Sequence, residues 1–344
     1  MLIADDVPLA PRTTLGLGGA ARRFARVESV ADLQEALALA ATTTERVLVL
    51  GGGSNLVVRD AGFDGLVVQI AIPGVTIRLH DDYAIVSAFA GVVWDDFVAQ
   101  LVDAELVGVE CLSGIPGLVG ATPMQNVGAY GQEVSDTIVF VRALDRETGE
   151  LVTLDSEACR FAYRSSVFRG SERWIVVEVR FRLARGERSV PIRYPELARA
   201  LGIAEGERAP LDEVRRVVIG LRRSKGMVVD PSDPESRSAG SFFTNPIVDE
   251  PTMRALEARL GSDITIPRFP APAGRTKLSA GWLIERAGFT KGYTVGRVGI
   301  SKKHALALVN RGGTTHELLE LAREIQDGVR AKLGIELHPE PIIV

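Results

Sequence analysis

Apolar positions along the chain repeat with two different periods. In VADLQEALALAA, Leu33, Leu37 and Ala40 share one helical face, and Ser29 and Asp32 have capping-box spacing, so a helix is expected to start at Ser29. RVLVL (46–50) is a continuous apolar run of strand length, and LVV (56–58) and GLVVQI (65–70) read as further strands. TIRLH and YAIVSAFA flank Asp81-Asp82 and read as a hairpin. WDDFVAQLVDAE (94–105) returns to the helical period. TIVFVRALD and ELVTL, joined through Thr148-Gly149, and WIVVEVRFRL (174–183) read as strands. Helices are expected over 210–225, in EPTMRALEARLG and in SAGWLIERAG. ALALVN (305–310) reads as a strand. Residues 315–334 read as a long helix with Leu318, Leu321, Ile325, Val329 and Leu333 on one side, before a strand-like terminus, IELHPEPIIV.

Strands and helices mix without strict βα alternation, which gives an α+β fold. One region has no period. Residues 111–136, CLSGIPGLVGATPMQNVGAYGQEVSD, hold five glycines and two prolines. At roughly 25 residues the region is too long for a plain connector, and it is too apolar for a floppy linker. A buried loop wrapping a ligand satisfies both facts. The composition shift at GERAP (206–210) is the best candidate domain boundary.

Composition narrows the classes. With 344 residues, 46% hydrophobic and 24% charged, the chain has enough apolar content for about two domains with sizeable cores. A net charge of −4 and no basic stripe give nothing to attract nucleic acid. Only six basic residues are Lys, the first being Lys225, an Arg excess with no functional reading. Cys111 and Cys159 lack metal-site spacing and read as reduced thiols, a disulfide being the alternative. No metal site is expected. Asp5 and Asp6 stand where a signal peptide needs positive charge, and no apolar run approaches the roughly 20 residues of a membrane span, so a cytoplasmic protein without membrane contact is expected.

Two glycine clusters compete for a phosphate. GLGGAA (16–21) matches a dinucleotide fingerprint in letters, but the strand before it and the helix after it are missing, and a turn is the better reading. GGGSN (51–55) directly follows the strand VLVL. Its successive N–H groups can form an anion nest, with side-chain donors from Ser54 and Asn55; a plain β-turn is the alternative. The glycine loop at 114–131 tips the balance toward one extended ligand with a pyrophosphate.

The segment SAGSFFTNP (238–246) places Ser241 among apolar neighbours. It is a nucleophile, a proton donor, or a cap or turn residue. A nucleophile needs a base. The four histidines, His80, His304, His316 and His338, lie in no triad-like pattern, and GSFF is not a nucleophile elbow.

GGGSNLVV, SGIPGLVG, PMQNVGAYGQE, FAYRSSVFR and AGSFFTNP occur in this order, and together they resemble the UDP-N-acetylenolpyruvoylglucosamine reductase (MurB) family, in its subtype with a tyrosine lid loop. The resemblance runs from about residue 11 to the C-terminus. It implies a two-lobed FAD-binding unit of the vanillyl-alcohol-oxidase (PCMH) type with a smaller α+β substrate domain. The implied boundaries are 1–68 for the first lobe, joined by 335–344; 69–208 for the second, with the lid at 186–202; and 209–334 for the substrate domain. It also implies NADPH-dependent, FAD-mediated reduction of a UDP-sugar enolpyruvyl ether to UDP-N-acetylmuramate, for peptidoglycan synthesis, by a monomer. Hydride goes to the methylene carbon and a proton to the adjacent carbon.

That chemistry needs a cation on the substrate carboxylate, a polarising acid group and a proton donor. The resemblance assigns these to Arg164, Glu340 and Ser241. A guanidinium forks onto a carboxylate and keeps its charge, although most arginines only make surface ion pairs. After Glu340 the chain departs from the family pattern, with Pro341-Ile342. A hydroxyl is a feeble acid, but a carbanion beside a carboxylate is a strong enough base to take its proton. The resemblance gives FAD Gly51, Gly52, Gly53, Ser54, Asn55, Ile115, Pro116, Gly117, Gly120, Ala121, Thr122, Gln125, Asn126 and Gly128. It gives the substrate diphosphate Tyr194, Arg222, Lys225 and Asn245, with Tyr194 on the lid that excludes water. Two rivals stay open: an alcohol or lactone oxidase on the same FAD fold, and a binding module without chemistry. The first has no use for Ser241, Arg164 and the Arg222–Lys225 pair together; the second predicts erosion at Arg164, Ser241 or Glu340, and all three are present.

Overall fold

The computed structural model describes residues 1–261 and 263–344. Contacts group the chain into two units. One comprises Met1–Val7, Ala21–Gly52 and Asp64–Arg223; the other comprises Pro8–Ala20, Gly53–Phe63 and Ser224–Val344.

The first unit begins with a four-stranded sheet in the order Ile3–Pro8, Ala20–Val27, Phe63–Ile70, Val47–Leu50, the last pair parallel. Helix α1 (Val30–Thr42) starts where its cap predicts, with Ser29 Oγ accepting from Asp32 N at 3.1 Å. Its buried face, Leu33, Ala36 and Ala40, packs on Val27, Leu66 and Val68. The strand Ala20–Val27 is not announced by its sequence, AARRFARV. Ala21, Phe24 and Ala25 go inward, while Arg22 and Arg23 pair with Glu45.

An antiparallel meander follows in the order Leu151–Asp155, Ile138–Asp145, Trp174–Arg185, Tyr83–Phe89, Val75–Leu79. Both expected hairpins form. Helix α2 (Trp94–Asp103) inserts Trp94 and Phe97 against Phe181, with ring centroids 5.3 to 6.2 Å apart. Helices α3 (Pro195–Leu201) and α4 (Leu211–Ser224) share a cluster with Cys111 and Tyr130. Helix α3 lies inside a stretch expected to be loop; Pro195 opens it, and Gly202, at φ +68°, closes it. Cys111 and Cys159 are free thiols, and burial raises both, Cys159 to about 12.

The second unit holds a sheet in the order Ser238–Ser241, Ala307–Asn310, Val298–Ile300, Thr294–Val295 and a smaller one built on Thr276–Leu278. Helices α5 (Glu250–Leu260), α6 (Ala280–Arg286) and α7 (Thr315–Leu333) cover them. The expected stripe on α7 is buried in full, and Thr314 with Glu317 forms a complete capping box at its start. GLGGAA opens no helix: residues 16–19 are irregular just after a turn at Thr14-Leu15, Gly16 and Gly18 have φ +63° and +117°, and Ala20-Ala21 begin a strand. Glu235, nearly buried, accepts from Ser301 Oγ at 2.8 Å and Lys302 N at 2.6 Å, and Arg311 Nη2 donates to it at 3.0 Å.

The C-terminal stretch is less regular than its pattern suggests. Only Ile342–Ile343 forms a strand, parallel to Leu56–Val57. Pro339 and Pro341 have no N–H to donate and break the ladder.

Candidate active site

The glycine-rich segments of the first unit meet backbone to backbone. Gly51 and Gly52 leave the strand Val47–Leu50, and a Cβ on Gly52 would stand 2.9 Å from Gly117 Cα. A Cβ on Gly120 would lie 2.4 Å from Ala90 Cβ. The loop from Ile115 through Pro116 to Ala121 is pinned from behind, by Trp94 N to Gly117 O at 3.0 Å and Gly120 N to Ala90 O at 3.1 Å. Asp95 fixes its start, accepting from Gly114 N at 2.5 Å while forking with Arg215 of α4. Thr122 Oγ1 is spent on Val119 O at 2.8 Å, and the half-buried Gln125 follows. Two glycine-rich loops in close approach suit a flat, phosphate-bearing cofactor such as FAD, which approaches backbone N–H groups at short range.

Arg164 sits in a tight turn closed by Ala162 and Ser165, whose backbones exchange two bonds at 3.0 Å. Its φ is +50°, a left-handed conformation that costs a non-glycine residue about 1 kcal/mol or more. Its guanidinium donates to Gly128 O at 2.8 Å and Asn126 O at 3.5 Å. Asn126 is 1% exposed, and its side chain bonds Glu133, Ala162 and Ser135.

Tyr194 precedes α3 and is 40% exposed; its ring meets Tyr130 edge-on at 5.4 Å. Tyr130 was not among the sequence candidates. Burial pushes its hydroxyl up to about 12, against the pull of Arg222. Arg222, in the last turn of α4, is lowered to about 10 by burial, while Tyr130 and Asp95 favour its charge.

In the second unit, Gly53 has φ +63°, and a Cβ there would meet Arg12 O at 2.0 Å, so only glycine fits. The following Ser54-Asn55 leads to the C-terminal segment: Ile342 N donates to Asn55 O at 3.0 Å, and Asn55 Nδ2 to Glu340 O at 3.5 Å. On the other side of that segment, Glu340 N donates to Phe242 O at 2.9 Å, and Thr244 N to His338 O at 3.0 Å. Ser241, Glu340 and the Ser54-Asn55 turn are therefore brought together. Ser241 ends its strand opposite Ala307, just after Gly240 at φ +73°. Phe242 and Phe243 are buried and stack edge to face at 5.3 Å. Among the described residues, Ser241 Oγ makes no side-chain hydrogen bond. Thr14, which the sequence did not mark, ties the parts by donating twice: its N–H to Gly53 O at 3.2 Å and its Oγ1 to Ser238 O at 2.7 Å. Asn245 Oδ1 accepts from Ala280 N at the start of α6, at 2.9 Å. Lys225 is half-buried just beyond α4. Among the described residues, no cluster could hold a metal ion, and no helix is long and apolar enough to cross a membrane.

Comparison with known proteins gives the chain's family. Residues 21–155 match the family model of an FAD binding domain, and residues 231–344 that of the UDP-N-acetylenolpyruvoylglucosamine reductase C-terminal domain. The chain is 53% identical to a UDP-N-acetylenolpyruvoylglucosamine reductase of Thermobifida fusca, covering 99% of this chain and 98% of the relative. It is 48% identical to that of Mycobacterium tuberculosis, covering 99% and 95%. Among solved structures, the reductase of Thermus caldophilus superposes with a TM-score of 0.65 at 26% identity, covering 99% of this chain and 98% of that one.

Proposed function

Since the chain belongs to the UDP-N-acetylenolpyruvoylglucosamine reductase family and is a flavin-dependent oxidoreductase with FAD as cofactor, we propose that it reduces the enolpyruvyl ether of UDP-N-acetylglucosamine to UDP-N-acetylmuramate with NADPH as reductant. The observation that carries the chemical part is the pairing of the Ser241 strand end with the Glu340 segment through the Phe242–Glu340 bond. It favours the reductase over an oxidase of similar fold, which has no use for this serine and this glutamate on paired segments.

FAD, when bound, would supply the hydride-transfer chemistry that links NADPH to the substrate's methylene carbon. Arg164 binds the substrate carboxylate and stabilises the charge that develops beside it. Its left-handed backbone and its two carbonyl partners support this role, because strain of that kind marks a side chain held for a purpose. Ser241 Oγ gives the proton to the carbon next to the carboxylate. Glu340 steadies that intermediate as a hydrogen-bonding acid. Arg222, Lys225, Asn245 and Tyr194 hold the diphosphate, with Tyr194 closing the lid at 186–202 against water. The glycines at 51–53, 117, 120 and 128, with Ser54, Asn55, Ile115, Pro116, Ala121, Thr122, Gln125 and Asn126, form the flavin-binding set. We place the protein in the cytoplasm and assign it no nucleic-acid or membrane partner.

Colour tests the proposal. The purified protein is expected to be yellow, to bleach on NADPH, and to recover its flavin absorption under anaerobic conditions only with the enolpyruvyl substrate. Recovery with an alcohol or lactone oxidation product instead would replace the reductase by an oxidase reading.

A further inference from the structure

We propose that Asn126 and Glu133 are positioning residues that set the aim of the Arg164 guanidinium. This rests on the reading of Arg164 as the carboxylate-binding residue. The observations lie entirely in one unit. Asn126 is buried and itself left-handed, at φ +47°. Its Nδ2 donates to Glu133 Oε2 at 2.7 Å and to Ala162 O at 3.3 Å, and its Oδ1 accepts from Ser135 N at 3.1 Å. Both amide hydrogens are thus committed, one to a carboxylate and one to the first residue of the turn that carries Arg164.

The same two residues control the other end of the arginine. Asn126 O and Gly128 O are the carbonyls that receive the guanidinium. Gly128 pairs with Glu133 in a two-stranded ribbon, and Glu133 and Asp136 form a reciprocal capping box, the Glu133 N–H donating to Asp136 Oδ2 at 2.9 Å and the Glu133 carboxylate accepting from Asp136 N. A carboxylate therefore orients an amide, and the amide fixes both the Arg164 turn and a carbonyl its fork points at. The Glu133–Asn126 bond is charge-assisted and short, the kind that holds a rotamer. Gly128 leaves no slack: a Cβ there would stand 2.9 Å from Glu133 Cγ and 3.3 Å from Arg164 Nη1. A misplacement of about 1 Å at a reacting group costs on the order of 100-fold in rate. Losing the Glu133 carboxylate removes the acceptor that holds Asn126, and the arginine drifts although no substrate contact has been deleted.

The test is anaerobic stopped-flow on the holoenzyme, with flavin content and Tm recorded for every variant. Glu133→Ala is expected to leave flavin reduction by NADPH unchanged and to slow flavin reoxidation by the enolpyruvyl substrate about 10- to 100-fold. Glu133→Gln, which keeps an acceptor for Asn126, is expected to recover most of that loss. In an Arg164→Ala background, Glu133→Ala is expected to add nothing, because it acts through the arginine. If the two losses multiply instead, the positioning role is wrong. If Arg164→Ala alone reoxidises at the wild-type rate, the reading of Arg164 fails and takes this inference with it. Should Glu133→Ala yield no holoenzyme, Glu133→Asp withdraws the acceptor by one methylene, and the same non-additivity with Arg164→Ala decides.

Discussion

Glu340 donates its backbone N–H to the carbonyl of Phe242 at 2.9 Å, which sets a carboxylate-bearing residue one position from Ser241. The bond survives although Pro339 and Pro341 interrupt the strand on either side, because Glu340 alone of the three has an N–H to give. The departure from the family pattern at Pro341 therefore leaves the Glu340 backbone anchored. Glu340→Gln keeps the shape and that anchor but removes the acid. Reoxidation of reduced enzyme by substrate is expected to fall at least about 100-fold, with NADPH-driven reduction preserved. Stopped-flow absorbance of the flavin separates the two.

Gly52 tests the cofactor cradle. The Cβ of a Gly52→Ala variant would press on Gly117 backbone at 2.9 Å, and backbone cannot swing away as a side-chain tip can. The variant is expected to purify with substoichiometric FAD and to bind added FAD about tenfold or more weakly, roughly 1.4 kcal/mol. Fluorescence titration of the apoprotein measures this. Unchanged affinity would mean that the two glycine loops do not shape the flavin site.

Glu235 tests what holds the Ser241 strand in place. Burial works against its charge, but Lys302 N, Ser301 and Arg311 outweigh it and keep its carboxyl below the usual glutamate range. A depressed carboxyl stabilises the fold above its unfolded pKa, and that stability is lost as pH falls through the folded value. Glu235→Gln is expected to cost about 3 kcal/mol at neutral pH, since Arg311 loses its counter-charge. The gap between wild type and variant should close as pH drops below the ordinary glutamate pKa. Denaturant melts at several pH values check both the size and the direction.

Much of this was legible in the chain. Helices α1 and α7 were readable because amphipathicity and caps agree, and α2 by its period alone, since Val93 at its start gives no side-chain cap. The glycine loops were readable because close backbone approach leaves few other residues possible. What stayed hidden had specific reasons. The strand Ala20–Val27 carries three arginines, two of which pair with a distant Glu45, so its alternation is broken. Helix α3 has only seven residues, too few for a period, and its Pro195 and Gly202 were the sole signal. The parallel pairing of Ile342–Ile343 with Leu56–Val57 is non-local, and no local pattern encodes it. At the site, single residues such as Arg164 and Ser241 came from resemblance. Tyr130, Thr14 and Glu133 were missed because their roles lie in what they touch, and composition does not record contacts.

The most direct test of the central claim is the Ser241→Ala variant, followed through both half-reactions on one anaerobic sample. NADPH should bleach the flavin at close to the wild-type rate. The enolpyruvyl substrate should then fail to restore the colour, because hydride addition stalls without a proton for the neighbouring carbon. Equal loss of both half-reactions, or normal reoxidation in the second, would contradict Ser241 as the proton donor.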